Sequence, residues 1–236
     1  MIVSASRRFV FAHVPKTGGI SIRAALAPFA DESLRLPAHE TLAGLAARLP
    51  QTRGHFKFAF VRNPWDRLVS FYAYARRFLA RTLPGLQTLS FEDMLRALDR
   101  HEDWTHDVHA FRPQSDFVRG ADGAPLADFV GRFERLETDF DLACARAGIA
   151  ARLTHRNASD HRPYAACYTA WSRDFVAARY RTDIEAFDYR FEDHQVSWPA
   201  TGDRDRYQPG HESSWPLRSN QNPTGWPAVA GHDTVG

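Results

Sequence analysis

Lys16 and Lys57 are the only lysines among the chain's 30 basic residues, and Lys16 stands in a turn suited to an anion. Pro15-Lys16-Thr17-Gly18-Gly19-Ile20-Ser21 connects an apolar, β-branched and aromatic run, Phe9 to Val14, with a segment of helical pattern from Ser21 to Leu26. At a strand-to-helix junction, backbone amides and the positive end of the helix dipole converge on one point. The two glycines let the backbone come close to a ligand. Lys16 adds a point charge, and Thr17 and Ser21 add hydroxyl donors. A second cation belongs with it. Arg62 leaves the end of the run Lys57 to Val61, Asn63 and Pro64 supply a cap and a first helical turn, and Ser70 follows eight residues after Arg62. Eight residues rise about 12 Å along a helix, so Arg62 must curl back over it to share a phosphate with Ser70. The wider charge pattern agrees: residues 1–30 hold Arg7, Arg8, Lys16 and Arg23 and no acid, and 61–82 hold five arginines against Asp66. Folding is expected to bring the two segments together as one anion site.

These residues need a frame. Phe9–Val14 and Lys57–Val61 read as buried strands, and residues 128–134, with Phe129, Val130 and Phe133, as a third. Leu42, Leu45, Ala46 and Leu49 recur at helical spacing, and a helix over 64–81 places Leu68, Tyr72, Ala75 and Leu79 on one stripe. Ser90 with Asp93 opens a helix to Leu98 in the manner of a capping box, another stops at Gly148, and one more spans 172–187. Strands alternating with helices predict an α/β fold, a single-domain parallel sheet flanked by helices on both faces. Trp65 and Phe71 are expected in the core, and the acids of 183–205, seven against two arginines, on a solvated face. A chain of 236 residues that is 44% hydrophobic needs no disulfide or metal staple to form a core. Cys144 and Cys167 are therefore not a framework and point to a reducing compartment. The last 42 residues carry five of the 14 prolines, five of the 14 glycines and three of the six tryptophans. Residues 1–194 are thus expected to form the domain and 195–236 an irregular extension.

Several function classes drop out. A net charge of +2 argues against a dedicated nucleic-acid binder. No stretch approaches the roughly 18 uncharged apolar residues of a membrane anchor. Ser6-Arg7-Arg8 resembles a twin-arginine export signal, but His13, Pro15 and Lys16 interrupt the apolar region that should follow, so a cytoplasmic location is expected. The Walker loop places its lysine after the glycines, whereas Lys16 precedes them. Gly19-Ile20-Ser21-Ile22-Arg23 lacks the last glycine of a hydrolase elbow. His101-Glu102-Asp103-Trp104-Thr105-His106 has one residue too many for a zinc-protease helix; with His109 it leaves a metal site in a loop open. Together with Arg112 and Gln114, that stretch is instead expected to line the site of an acceptor.

The loop from Pro15 to Ser21 resembles the 5′-phosphosulfate loop of sulfotransferases that use 3′-phosphoadenosine 5′-phosphosulfate (PAPS). The strand, Arg62-Asn63-Pro64 and the helix bearing Arg67, Leu68 and Ser70 resemble the 3′-phosphate motif of the family-2, carbohydrate-type enzymes, heparan-type 2-O-sulfotransferases among them. Pro113-Gln114-Ser115-Asp116-Phe117, Gly131-Arg132-Phe133-Glu134, Asn157-Ala158-Ser159 and Tyr180 to Tyr189 extend the resemblance over residues 7 to 192. It implies a P-loop, nucleoside-kinase-type sheet, PAPS as cosubstrate without a metal, and an acceptor hydroxyl on a saccharide or saccharide-bearing molecule. Lys16, Thr17, Gly18, Gly19 and Ser21 would hold the 5′ end of PAPS, and Arg62 and Ser70 its 3′-phosphate. Sulfuryl transfer needs a cation to follow charge on the leaving oxygen, a role for Lys16, and a base for one proton. His39, between the two anion loops and just ahead of the helix at 41–49, is the candidate base. In spacing, though not in flanking sequence, it resembles the base of the heparan-type enzymes. His55 is the rival but starts a strand, at the edge of the sheet away from ligands; His106 and His109 come next. Two readings from other classes stay open: a nucleotide-binding module without chemistry, and a P-loop nucleotide kinase using ATP and magnesium.

Overall fold

The computed structural model describes residues 1–193 apart from 32, 33, 35, 80 and 154–162. Asn157-Ala158-Ser159 and the segment 195–236 lie outside the described residues. The chain enters with a strand that no periodicity announces: β1, Ile2–Ser4, reverses through Ala5 to Arg8, where Arg8 takes φ 53°. It runs antiparallel to β2, Phe9–Ala12, with Val3 opposite Val10. β3, Phe56–Val61, and β4, Phe129–Arg132, follow in parallel, giving the order β1-β2-β3-β4. The expected parallel sheet is therefore mostly parallel, with an antiparallel edge strand only three residues long. Three residues give too short a pattern to separate from a loop.

Strand alternation sorts the core into two layers. Phe9, Phe11, Phe58 and Phe60 point to one face and pack with Ile22 and Leu26 of α1, Gly19–Leu26, and with Phe140 and Ala143 of α5, Leu136–Ala147. Val10, Ala12, Ala59 and Val61 point to the other and meet Leu42 and Leu45 of α2, Leu42–Arg48. Each fully buried phenylalanine, valine or leucine contributes roughly 1.5–3 kcal/mol, so both faces hold the sheet.

α3, Pro64–Phe78, starts where the sequence places it. Asn63 Oδ1 accepts from the backbone N–H of Trp65 at 3.0 Å, and Pro64 fills the first turn. A third apolar cluster joins α3 to α4, Phe91–Asp99, and α6, Ala170–Arg179, and holds Trp65 and Phe71, both expected in the core. The helix expected over 172–187 is two helices, broken at Tyr180 and resumed as α7, Arg181–Phe187. The break has a cause: Tyr180 is fully buried, and its hydroxyl donates to the Phe111 carbonyl at 2.9 Å. Asp183 corrects the reading of 183–205 as a solvated face. It is fully buried and accepts from the backbone N–H groups of Gln114 and Ser115 at 2.7 and 2.9 Å. Among the described residues no helix is long and apolar enough to cross a membrane.

Candidate active site

β2 and β3 end side by side, and the two loops expected to bind an anion follow from that carboxyl edge. Lys16 and Gly18 take left-handed backbone, φ 68° and 79°, which coils the loop tightly before α1 begins at Gly19. A Cβ on Gly18 would stand 2.8 Å from Leu136 Cδ2. Thr17 is fully buried and its hydroxyl donates to the Val14 carbonyl at 2.9 Å. That hydrogen is committed inside the turn, so the Thr17 hydroxyl is not left as the free donor the sequence suggests. Ser21 is buried in the first turn of α1.

Lys16 Nζ lies 3.9 Å from the centroid of the Tyr74 ring of α3 and pairs with no carboxylate among the described residues. Burial, and then the nearby charge of Arg62, pull its ammonium down to about 8. Arg62 is buried against the same loop. Its Nη1 donates to the Lys16 carbonyl at 3.3 Å, its Nε to Asp66 Oδ2 at 2.7 Å, and its guanidinium stacks 4.0 Å from the Phe133 ring centroid. Two cations are thus held together by the fold although their charges repel, the arrangement expected of a site that receives an anion. Gln114 braces it from behind. Fully buried, it accepts from the Arg62 N–H at 2.9 Å and donates to the Arg62 carbonyl at 2.8 Å. This corrects the expectation that Gln114 lines an acceptor site, because none of its side chain reaches the surface. Arg112 stacks on Phe117, 5.2 Å from the ring centroid. Ser70 is buried two turns into α3, and among the described residues no hydrogen bond joins it to Lys16 or Arg62.

His39 is brought to the same edge. Its Nδ1 is 2.9 Å from the His13 carbonyl, and its ring centroid is 4.5 Å from that of His13. A carbonyl only accepts, so Nδ1 carries the hydrogen and Nε2 is left with its lone pair, the form a base requires. Burial holds His39 below the ordinary imidazole value, which keeps it neutral at pH 7. His13 was not singled out from the sequence. It is buried, and desolvation above all, followed by the charge of His39, pushes it down to about 2, so it is a neutral spacer. Its ring fills the space over Gly19, where a Cβ would stand 1.8 Å from His13 Nε2. The one sequence signal is its position, two residues before Pro15. Gly19→Ala is therefore expected to displace His13 and, through its carbonyl, His39. Turnover should fall at least tenfold while the protein still melts cooperatively, which steady-state rates and calorimetry on the variant would check. A variant with wild-type turnover would show that the His13 contact does not position His39.

The rival histidines separate cleanly. His55 precedes β3 at the opposite edge, on the wall of a cavity of about 1070 Å³ that contains neither Lys16 nor Arg62. His101 and His106 face each other at 6.5 Å between centroids, whereas His109 lies 5.6 Å from His39. Among the described residues no group of three His, Cys, Asp or Glu side chains is arranged to hold a metal ion.

The fold is a mostly parallel α/β sheet, with Lys16, Arg62 and the imidazole of His39 at its carboxyl edge. Residues 1–190 match the description Sulfotransferase family, and the chain belongs to that family, as the motif resemblance implied. A protein of Archaeoglobus fulgidus described as uncharacterized is 30% identical over 103 residues, covering 44% of this chain and 76% of its own length. Carbohydrate sulfotransferase 14 of Mus musculus is 27% identical over 174 residues, covering 59% of this chain and 44% of the mouse protein. No solved structure matches.

Proposed function

We propose that the protein transfers a sulfuryl group from PAPS to a hydroxyl of a saccharide or saccharide-bearing acceptor. The observation that carries this reading is the convergence of Lys16, Arg62 and His39 on one sheet edge, with the Nδ1 of His39 tied to a carbonyl. The loop of Lys16 to Ser21 would take the 5′-phosphosulfate, and Arg62, with Ser70, the 3′-phosphate. In the transfer, a bond forms between the acceptor oxygen and sulfur as the bond from sulfur to the bridging phosphate oxygen breaks. The electron pair goes to the phosphate of the departing 3′-phosphoadenosine 5′-phosphate (PAP), where Lys16 meets it, and the acceptor proton goes to His39 Nε2. Sulfotransferase membership and the likeness to a mouse carbohydrate sulfotransferase support the same reading.

Ligand choice tests it. PAP at 100 times its dissociation constant should stabilise the protein by about 2.7 kcal/mol, and ATP with magnesium at the same concentration by far less. Arg62→Ala should weaken PAP by roughly 1.5–3 kcal/mol, and Ser70→Ala by less, since the arginine contact is charge-assisted. The melting temperature of the unliganded variant, read in the same scans, separates lost binding from lost folding, because Arg62→Ala also removes the buried ion pair between Arg62 and Asp66. Equal stabilisation by ATP, or undiminished PAP affinity in Arg62→Ala, would contradict the assignment.

A further inference from the structure

The stretch that follows His109 is fastened by buried polar groups over six consecutive residues. Arg67, fully buried on α3, donates from Nη1 to the Ala110 carbonyl at 2.8 Å and from Nη2 to the Arg112 carbonyl at 3.0 Å. Tyr180 takes the Phe111 carbonyl between them, and Asp183 the N–H groups of Gln114 and Ser115. Burying a guanidinium and a carboxylate carries a desolvation cost, so a turn that only joined two helices would be better served by apolar packing. What this fastening fixes is the place of His109, an exposed ring 5.6 Å from His39 and inclined to it by 43°. The brace also runs through Gln114 to the backbone of Arg62, so hydrogen bonds tie the His109 segment to the anion site.

We propose that His109 is the second imidazole of the acceptor site, that it holds a hydroxyl next to the reacting one, and that Arg67 and Tyr180 are its positioning residues. The inference rests on the sulfuryl-transfer reading above and narrows its substrate to acceptors with two adjacent hydroxyls. An imidazole is both donor and acceptor, so a ring beside the base can engage a vicinal oxygen without adding a permanent charge. The groups facing His39 are the neutral His13 at the end of β2, Arg23 of α1, the α-amino group of Met1, and His109. Of these groups, His109 alone stands beside the segment that Arg67 fastens.

The test compares wild type, His109→Gln, His109→Ala and His39→Ala, with PAPS as donor and methyl glycosides bearing vicinal hydroxyls as acceptor probes, following PAP formation against pH. His109→Ala should raise the acceptor KM about tenfold with little change in kcat, and His109→Gln, which keeps a donor and an acceptor, should recover part of it. PAP affinity should stay within about twofold of wild type. The acid limb of the rate should move up by about half a pH unit in both variants, because His109, whose ring centroid lies 5.6 Å away, no longer opposes protonation of His39. An unchanged acceptor KM with an unmoved acid limb would overturn the proposal, and so would a loss of PAP affinity as large as the loss of rate. A wild-type protein that forms no PAP would instead overturn the sulfuryl-transfer reading on which it rests, whereas a His39→Ala variant as fast as wild type would leave that reading standing and overturn the proposal, because His39 would not be the base beside which His109 acts.

Discussion

Lys16→Ala is expected to lower turnover by about 10² to 10³ while changing PAP affinity much less. In the proposed transfer, the charge that Lys16 would answer grows on the bridging oxygen only as sulfur leaves, so its loss should be felt in the transition state more than in binding. In the free protein its ammonium sits over the Tyr74 ring and is drawn down to about 8 by burial and by Arg62. Since the protonated form is the useful one, kcat/KM, which reports the free enzyme, should fall as pH rises through about 8. Arg62→Ala removes one of the two causes, so that alkaline limb should move to higher pH even as PAP binding weakens. Rate profiles of the two variants would check both signs. Normal kcat with a raised KM in Lys16→Ala would mean that Lys16 is an anchor and takes no part in the chemistry.

His39→Ala should leave PAP binding intact and reduce turnover by about 10² or more. The sign of its pH dependence follows from the geometry. His39 accepts a proton only when neutral, and burial holds it below the ordinary imidazole range, so the acid limb of the wild-type rate should lie on the acid side of an ordinary imidazole, with the rate falling as pH drops through it. Calorimetry with PAP and single-turnover rates would separate the two effects. Undiminished turnover in the variant would move the base to His109, the imidazole nearest to His39 after His13.

Much of this site was legible because its residues obey local rules. Pro15 to Ser21 announces itself by a lysine before two glycines at the end of an apolar run. Asn63-Pro64 marks the start of α3 by cap chemistry alone, and Ser90 with Asp93 forms the expected capping box. The sorting of Phe9, Phe11, Phe58 and Phe60 onto one face follows from period two. What could not be read depends on contacts between distant segments. Gln114 bonds Arg62 across 52 positions, Asp183 bonds Gln114 across 69, and neither pairing leaves a periodic trace. Asp183 was misplaced for that reason: a charge in an acidic run looks solvated until its partners are known. An apolar strand context hides His13, whose carbonyl meets His39. β1 was missed because three residues are too few to carry an alternation.

The central claim is that this sheet edge moves a sulfuryl group from PAPS to a hydroxyl. Its most direct test incubates the full chain with PAPS and a panel of saccharides, without ATP or magnesium, and reads both products by mass spectrometry. The account predicts PAP and an acceptor heavier by one SO₃ in equal amounts, with the yield strongly reduced in Lys16→Ala and His39→Ala. PAP released with no sulfated product, or a phosphorylated acceptor formed only when ATP and magnesium are supplied, would contradict it.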